Sequence, residues 1–303
     1  MKSGSRFATA DEVLTPSFQT INVIMSSLNR EFDLPDHLDL NGERYPWSTT
    51  LFGQPQIYAS RLWEFPFAIQ EADLSPGMTC ADIGCGRTPF TIYLDRIARC
   101  KVTGFDPDVF ETGDRHKAFG VPQEFIQRTG LTIKRSGMDQ IDVPDNFFDR
   151  VFCISVIEHV EALTARKGIR EMARILKPGG RLILTMDVEL FNTLSEADPL
   201  SLVWESGLFP CKSLDLQWPE KRFGNSYSKG RSADVFGLVL EKRDYRIERQ
   251  YQPGETAGEL NRIEGWRIAS SRAPKWRPLK ITPWRQRLRK AANLLLHGIC
   301  REP

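Results

Sequence analysis

The sequence of 303 residues contains no apolar run long enough to cross a bilayer as a helix. Its four histidines and six cysteines are too few and too scattered for a metal-rich or disulfide-stapled domain. The cysteines, at positions 80, 85, 100, 153, 211 and 300, form no CxxC pair and no zinc-ligand spacing. Several fall inside apolar strand-like runs, where a free thiol behaves as a small hydrophobe. The opening stretch, MKSGSRFATADEV, lacks the apolar centre of a secretory leader. A reduced, cytoplasmic protein is therefore expected. Internal repeats are absent, and so is the Asn/Asp-Pro-Pro-Tyr signature of amino-group methylation on nucleic acid and protein glutamine.

What is present suffices for one sizeable core, with 41% hydrophobic and 26% charged residues. The net charge of +2 hides an asymmetry. From Arg272 onward nine basic residues face one acidic residue, Glu302, so the rest of the chain carries a surplus of six negative charges. A body of that sign argues against a broad nucleic-acid face, and nucleic acid is not the expected partner.

Residues 1 to about 50 are polar and proline-punctuated, with a weak helical pattern near Val23–Leu28. Tyr58, Leu62, Phe65 and Ile69 recur at helical spacing, and Pro66 must kink that helix or start a second one. After Ser75-Pro76-Gly77 the pattern alternates. Strands are predicted at Thr79–Ile83, Lys101–Phe105, Leu131–Lys134, Arg150–Val156 and Arg181–Met186. Between them, Phe90, Tyr93, Leu94 and Ile97 form one apolar helical stripe, and Ile169, Met172, Ala173 and Leu176 form another, stopped by Lys177-Pro178-Gly179-Gly180. Such alternation implies right-handed βαβ units and a mostly parallel sheet covered on both faces. The regular pattern lapses between Asp187 and Arg231, then returns as a helix at Ala233–Lys242 and strands at Tyr245–Tyr251 and Trp266–Ser270. The expected organisation is an N-terminal helical cover (1–75), a central domain (76–275) with an insert or lid at 187–231, and a basic amphipathic tail (276–303).

The run Cys80-Ala81-Asp82-Ile83-Gly84-Cys85-Gly86-Arg87-Thr88-Pro89 carries the strongest chemical signal. A strand ends in an acid, Gly-x-Gly turns, and a helix begins. The glycines admit a ligand closer to the backbone than a Cβ would allow. Thr88 is placed to cap the helix and Pro89 suits its first position. A nicotinamide-type loop needs a third glycine where Pro89 stands, and Asp82 would repel a pyrophosphate. A sulfonium cofactor with an amino group suits that carboxylate better. Twenty residues past Gly86, Asp106 closes the second strand, where a carboxylate can take both ribose hydroxyls. Gly137-Met138-Asp139 follows the third strand, and Ser155-Val156-Ile157-Glu158-His159 ends the fourth.

These ordered pieces resemble the class I S-adenosylmethionine-dependent methyltransferases, in particular the small type 11 enzymes, over residues 75–190 and more loosely over 230–272. The resemblance implies a Rossmann-like, doubly wound α/β sheet of seven strands with an antiparallel last strand. It implies S-adenosyl-L-methionine as cofactor, with Asp82, Gly84 and Gly86 at its methionine end, Asp106 on the ribose, and Met138 and Asp139 beside the adenine. An aspartate often precedes the adenine donor in the family; here it is Gly137. Glu158-His159 is similar to the end of the Glu-x-x-Glu-His metal cluster of ubiquinone-pathway and small-RNA O-methyltransferases, but Ser155 replaces the first acid, and no metal is expected. His159 is the candidate general base, with Asp187 and Glu189 as other candidates.

Acceptor specificity in this fold comes from the front helix and the insert. Trp63, Phe67, Trp204, Phe209, Trp218 and Tyr227 are candidates to wall a pocket or simply to fill core, and Arg61, Lys221 and Arg222 to recognise an acceptor anion or lie in solvent. Trp63-Glu64-Phe65-Pro66-Phe67 is similar to a run in methyltransferases of polysaccharide and natural-product pathways. In the tail, Trp284, Leu288, Leu295 and Ile299 share one face of a basic helix, so 283–299 is a candidate for membrane-surface contact. The function expected is methylation of a small molecule or glycan, on oxygen. The alternative is a methyltransferase-fold scaffold or peripheral membrane-binding protein without catalysis.

Overall fold

A computed structural model describes residues 3–34, 37–40, 43–46, 60–110, 120–188, 202, 206–217 and 234–243. In chain order its elements are β1 (Arg6–Phe7), α1 (Ala10–Val13), α2 (Pro16–Glu31), β2 (His37–Leu40), β3 (Glu43–Pro46), α3 (Arg61–Ala72), β4 (Thr79–Ile83), α4 (Pro89–Ile92), β5 (Lys101–Asp106), β6 (Val109–Phe110), β7 (Val121–Pro122), α5 (Gln123–Thr129), β8 (Thr132–Arg135), β9 (Phe148–Ile154), α6 (Ala162–Ile175), β10 (Leu176–Val188), β11 (Phe209–Pro210) and β12 (Asp234–Glu241). A π-helical turn, Tyr93–Ile97, continues α4, and a 3₁₀ turn, Ile157–His159, follows β9.

The main sheet runs β1-β12-β10-β9-β4-β5-β8, with β11 also pairing β12. From β8 to β10 every pairing is parallel, and β12 enters antiparallel against β10. The five predicted parallel strands are all present, shifted by a few residues at their ends. The edge beyond β12 is supplied by the N-terminus, where Arg6 and Phe7 pair antiparallel with Gly237 and Phe236. The N-terminal segment is thus part of the sheet as well as its cover.

Side-chain alternation along each strand divides the core in two. On one face Cys80, Phe152, Ile154 and Ile183 pack with Phe18, Met25, Trp63, Phe67 and Phe90 of α2, α3 and α4. On the other, Ala81, Val151, Leu182 and Leu184 pack with Ile169, Met172 and Ala173 of α6. This is the doubly wound three-layer arrangement implied by the strand–helix alternation.

Two elements differ from expectation. Residues 234–241, predicted as part of a helix, form a strand. Asp234, Val235, Phe236, Leu238, Val239 and Leu240 are all buried, because β12 lies inside the sheet between β1 and β10. A strand covered on both faces reads as a continuous apolar run with no period-2 signature. The second concerns α3, which continues through Pro66, so no second helix starts there. Proline has no N–H for the Leu62 carbonyl four residues back. That carbonyl instead accepts a 2.9 Å hydrogen bond from Asn22 Nδ2 on α2, both groups being buried. The helix end is held likewise, with Arg150 donating through Nε to the Ala72 carbonyl and through Nη2 to that of Asp73 at 3.2 Å.

The predicted strands at 245–251 and 266–270 and the tail at 276–303 lie outside the described residues. So does most of the 187–231 insert, although Asp187 and Val188 still belong to β10, opposite Val235 and Asp234. No helix among the described residues is long and apolar enough to cross a membrane.

Candidate active site

The site lies beyond the carboxyl ends of β5, β4, β9 and β10, where ligands of doubly wound sheets bind. Gly84 and Gly86 turn the chain out of β4 with φ of +69° and +51°. Side chains rarely adopt these angles, and at Gly84 a Cβ would also lie 2.5 Å from a Val156 methyl. Pro89 takes the first position of α4, and Thr88 is its N-cap residue with an extended backbone. Thr88 makes no side-chain cap, however; its Oγ1 donates to the Cys85 carbonyl at 3.3 Å.

Two carboxylates frame this loop. Asp106, at the end of β5, accepts from the Gly86 N–H at 3.0 Å and from the Asp108 N–H at 2.8 Å, so one side chain fixes both the turn and its own orientation. Asp82 is buried and accepts from Thr91 Oγ1 on α4 at 2.6 Å. Desolvation raises Asp82 to about 7; the Thr91 hydrogen bond and Arg61 oppose the shift and Asp106 adds to it. The loop's geometry fits a nucleoside with vicinal hydroxyls at Asp106 and a cationic group towards Asp82. Past β8, Ser136 donates from its N–H to the Asp106 carbonyl and from Oγ to the Gln140 carbonyl, closing a tight turn. In that turn the Met138 side chain is buried against Gly168 of α6, while Asp139 is exposed.

A second polar cluster, on the α3 face of the sheet, was only partly foreseen. Arg61 pairs with Glu64 one turn along α3, and the other Glu64 oxygen accepts from Thr185 Oγ1 on β10 at 2.7 Å. Glu64, Thr185 and Glu158 are essentially inaccessible to solvent. Glu158 Oε1 accepts from Ser155 Oγ at 2.8 Å and from the Asp187 N–H at 3.1 Å. Ser155, in the position where the similar metal cluster has an acid, therefore acts as a hydrogen-bond donor to Glu158. Desolvation, then the charge of Asp187, pushes Glu158 up to about 8. Desolvation, then Glu64, pushes Asp187 up to about 7 against the pull of Arg61. Arg61 also acts on Asp82, so the charge of one guanidinium is felt both at the loop and at the acids that follow β9 and end β10.

His159 ends the 3₁₀ turn as an exposed residue, its backbone N–H bonded to the Val156 carbonyl. Desolvation of its ring and the nearby Arg61 charge hold its pKa below the usual imidazole value. Trp63 and Phe67 are wholly buried and stacked at 4.4 Å, with Trp63 Nε1 donating to Glu12. They fill core. Phe209 is half-buried in β11 under the Arg243 guanidinium. Glu189, Trp204, Trp218, Lys221, Arg222 and Tyr227 lie outside the described residues. Glu64 was missed; its signal was one acid inside the aromatic run Trp63-Glu64-Phe65-Pro66-Phe67.

Residues 81–184 match the model of a family described as a methyltransferase domain. The demethylmenaquinone methyltransferase of Corynebacterium efficiens is 29% identical over 177 residues, which are 56% of this chain and 68% of the relative. The tRNA U34 carboxymethyltransferase of Campylobacter curvus is 27% identical over 178 residues, 56% of each chain. Among solved structures, a geranyl diphosphate C-methyltransferase from Streptomyces coelicolor A3(2) covers 76% of this chain and 99% of its own. Its TM-score of 0.46 at 14% identity is too low to bear on the assignment. With this sheet, this loop and this family match, residues 81–184 form a methyltransferase domain of the class I, S-adenosylmethionine-dependent family.

Proposed function

We propose that the chain transfers a methyl group from S-adenosylmethionine to a hydroxyl-bearing small molecule or glycan. The observation that carries the cofactor half is the loop at the end of β4. It combines two positive-φ glycines, a position with no room for a Cβ, and Asp106 fixed by the Gly86 and Asp108 N–H groups. Asp106 would hold the ribose, Asp82 and the Gly84–Gly86 turn the methionine end, and the Met138 backbone with Asp139 the adenine edge. When bound, the cofactor supplies an already activated methyl group.

The protein's task is then to align the acceptor and exclude water. On the α3 face, Glu64, Thr185 and Glu158 form a buried, hydrogen-bonded polar layer at the ends of β9 and β10, which would hold the acceptor side of the site rigid. A small-molecule acceptor is supported by the menaquinone relative and by a sterol 24-C-methyltransferase of Yarrowia lipolytica, 30% identical over 108 residues. The tRNA-modifying relative is the comparison that speaks for a nucleic-acid acceptor instead. Both of the small-molecule relatives are matched over only part of their length, so their acceptors do not transfer to this chain. Calorimetric titration with S-adenosylhomocysteine tests the reading. Micromolar binding is expected, and no binding would favour a scaffold without catalysis.

A further inference from the structure

The acids at the ends of β9 and β10 are unequally used. Both Glu64 oxygens have partners, Arg61 and Thr185. Glu158 is anchored by Ser155 and by the Asp187 backbone. Asp187 Oδ1 is buried and has no hydrogen-bond partner among the described residues; Glu158 Oε2 shares that condition, but the other Glu158 oxygen is bonded twice. An ionised carboxylate only accepts hydrogen bonds, and leaving a buried one unmet is costly. No described residue supplies that donor, so the atom suits one brought by a bound acceptor.

Its position says where such a donor would come from. Asp187 shares the α3 face of β10 with Ile183 and Thr185, at the end of the strand two places from β4 and its cofactor loop. The charge of Arg61 acts on Asp187 and also on Asp82 of that loop. The charged groups around Asp187 are thus Arg61 and Glu64 of α3 and Glu158 of the 3₁₀ turn.

Building on the methyltransferase reading, we propose that Asp187 is the catalytic base that receives the acceptor's hydroxyl proton. The acceptor O–H bond breaks with its proton passing to Asp187 Oδ1. An O–C bond forms to the methyl group, and the S–C electron pair stays on sulfur. His159 is exposed by comparison, and a base shielded from water keeps its hydrogen bond to the acceptor undiluted. The cluster sets a carboxylate poised near neutrality, as a base working at that pH requires.

The test needs no knowledge of the natural acceptor. Protein saturated with S-adenosylhomocysteine is titrated with phenol and with anisole, its methyl ether, by ligand-observed NMR between pH 5.5 and 8.5. Phenol is expected to bind about tenfold more tightly than anisole, as one charge-assisted hydrogen bond would give. That preference should grow as the pH rises through 7, where Asp187 ionises. Asp187→Asn should bind S-adenosylhomocysteine normally yet lose the pH-dependent part of the preference, while His159→Gln keeps it. Should the Asn variant not fold, Asp187→Ser replaces it. Equal binding of the two probes, no binding of either, or an unchanged preference in the Asp187 variant overturns the proposal. Failure of S-adenosylhomocysteine to bind the wild-type protein would instead strike the methyltransferase reading beneath it.

Discussion

Asp106 fixes the Gly86 turn and, on the proposed reading of the cofactor site, presents the same carboxylate to the ribose diol. Asp106→Ala should therefore weaken S-adenosylhomocysteine binding by more than one lost contact suggests. A carboxylate bond to a hydroxyl contributes about 1.5–3 kcal/mol, so calorimetry should show a loss of at least about tenfold. Unchanged affinity would remove the ribose assignment. Gly84→Ala should be worse tolerated than an ordinary Gly→Ala change, because it adds a methyl against Val156 at a positive φ. Residues of this loop were legible in the sequence because each answers a local demand, whether a turn, a close approach or a strand-end acid. Glu64, Thr185 and Ser155 were not, because their roles depend on which side chains the fold brings opposite them.

At the scale of elements, the packing of α3 on β12 depends on the absence of a side chain. A Cβ at Gly237 would sit 2.3 Å from the Phe67 ring, and that ring is stacked on Trp63 with no room to retreat. Gly237→Ala should destabilise the protein by about 1–3 kcal/mol, read as a lower denaturation midpoint in urea. The same strand shows where sequence reading fails. Residues 234–241 carry neither a clean helical nor a clean alternating pattern, since both faces are buried. Only the neighbours β1 and β10 decide that they are extended. Pro66 is the converse case. Its local rule predicted a kink or a second helix; the helix continues, and a partner 40 residues away, Asn22, satisfies the carbonyl that the proline leaves open. The five parallel strands were legible as short apolar runs set off by turn residues, and α6 because its apolar residues repeat at helical spacing.

Considered as a whole, the molecule keeps most of its unusual acids on one face. Asp82, Glu158 and Asp187 titrate at about 7, 8 and 7, well above their unfolded values. A raised carboxyl pKa means that the folded state holds protons the unfolded state has released. Stability from these groups is fully present below about pH 4 and is lost as the pH rises through 7 to 8. Asp149 works the other way. Against desolvation, hydrogen bonds from Lys177 and Thr79 lower it to about 2, so its contribution is lost only in strong acid. The melting temperature of the ligand-free protein should accordingly be higher at pH 5.5 than at pH 8.5. Glu158→Gln should flatten that slope, and a rise with pH would contradict the burial of these acids.

The N-terminal strand carries a consequence for how the chain is made. Arg6 lies buried between Glu12 and Glu71 beneath the Trp63 and Phe67 rings, and its strand closes against Gly237 and Phe236. β1 thus has no strand to pair with until the chain has been translated past β12. Until then the growing sheet shows an open edge, and a strand made before all the others in the sheet is the last to be locked in place.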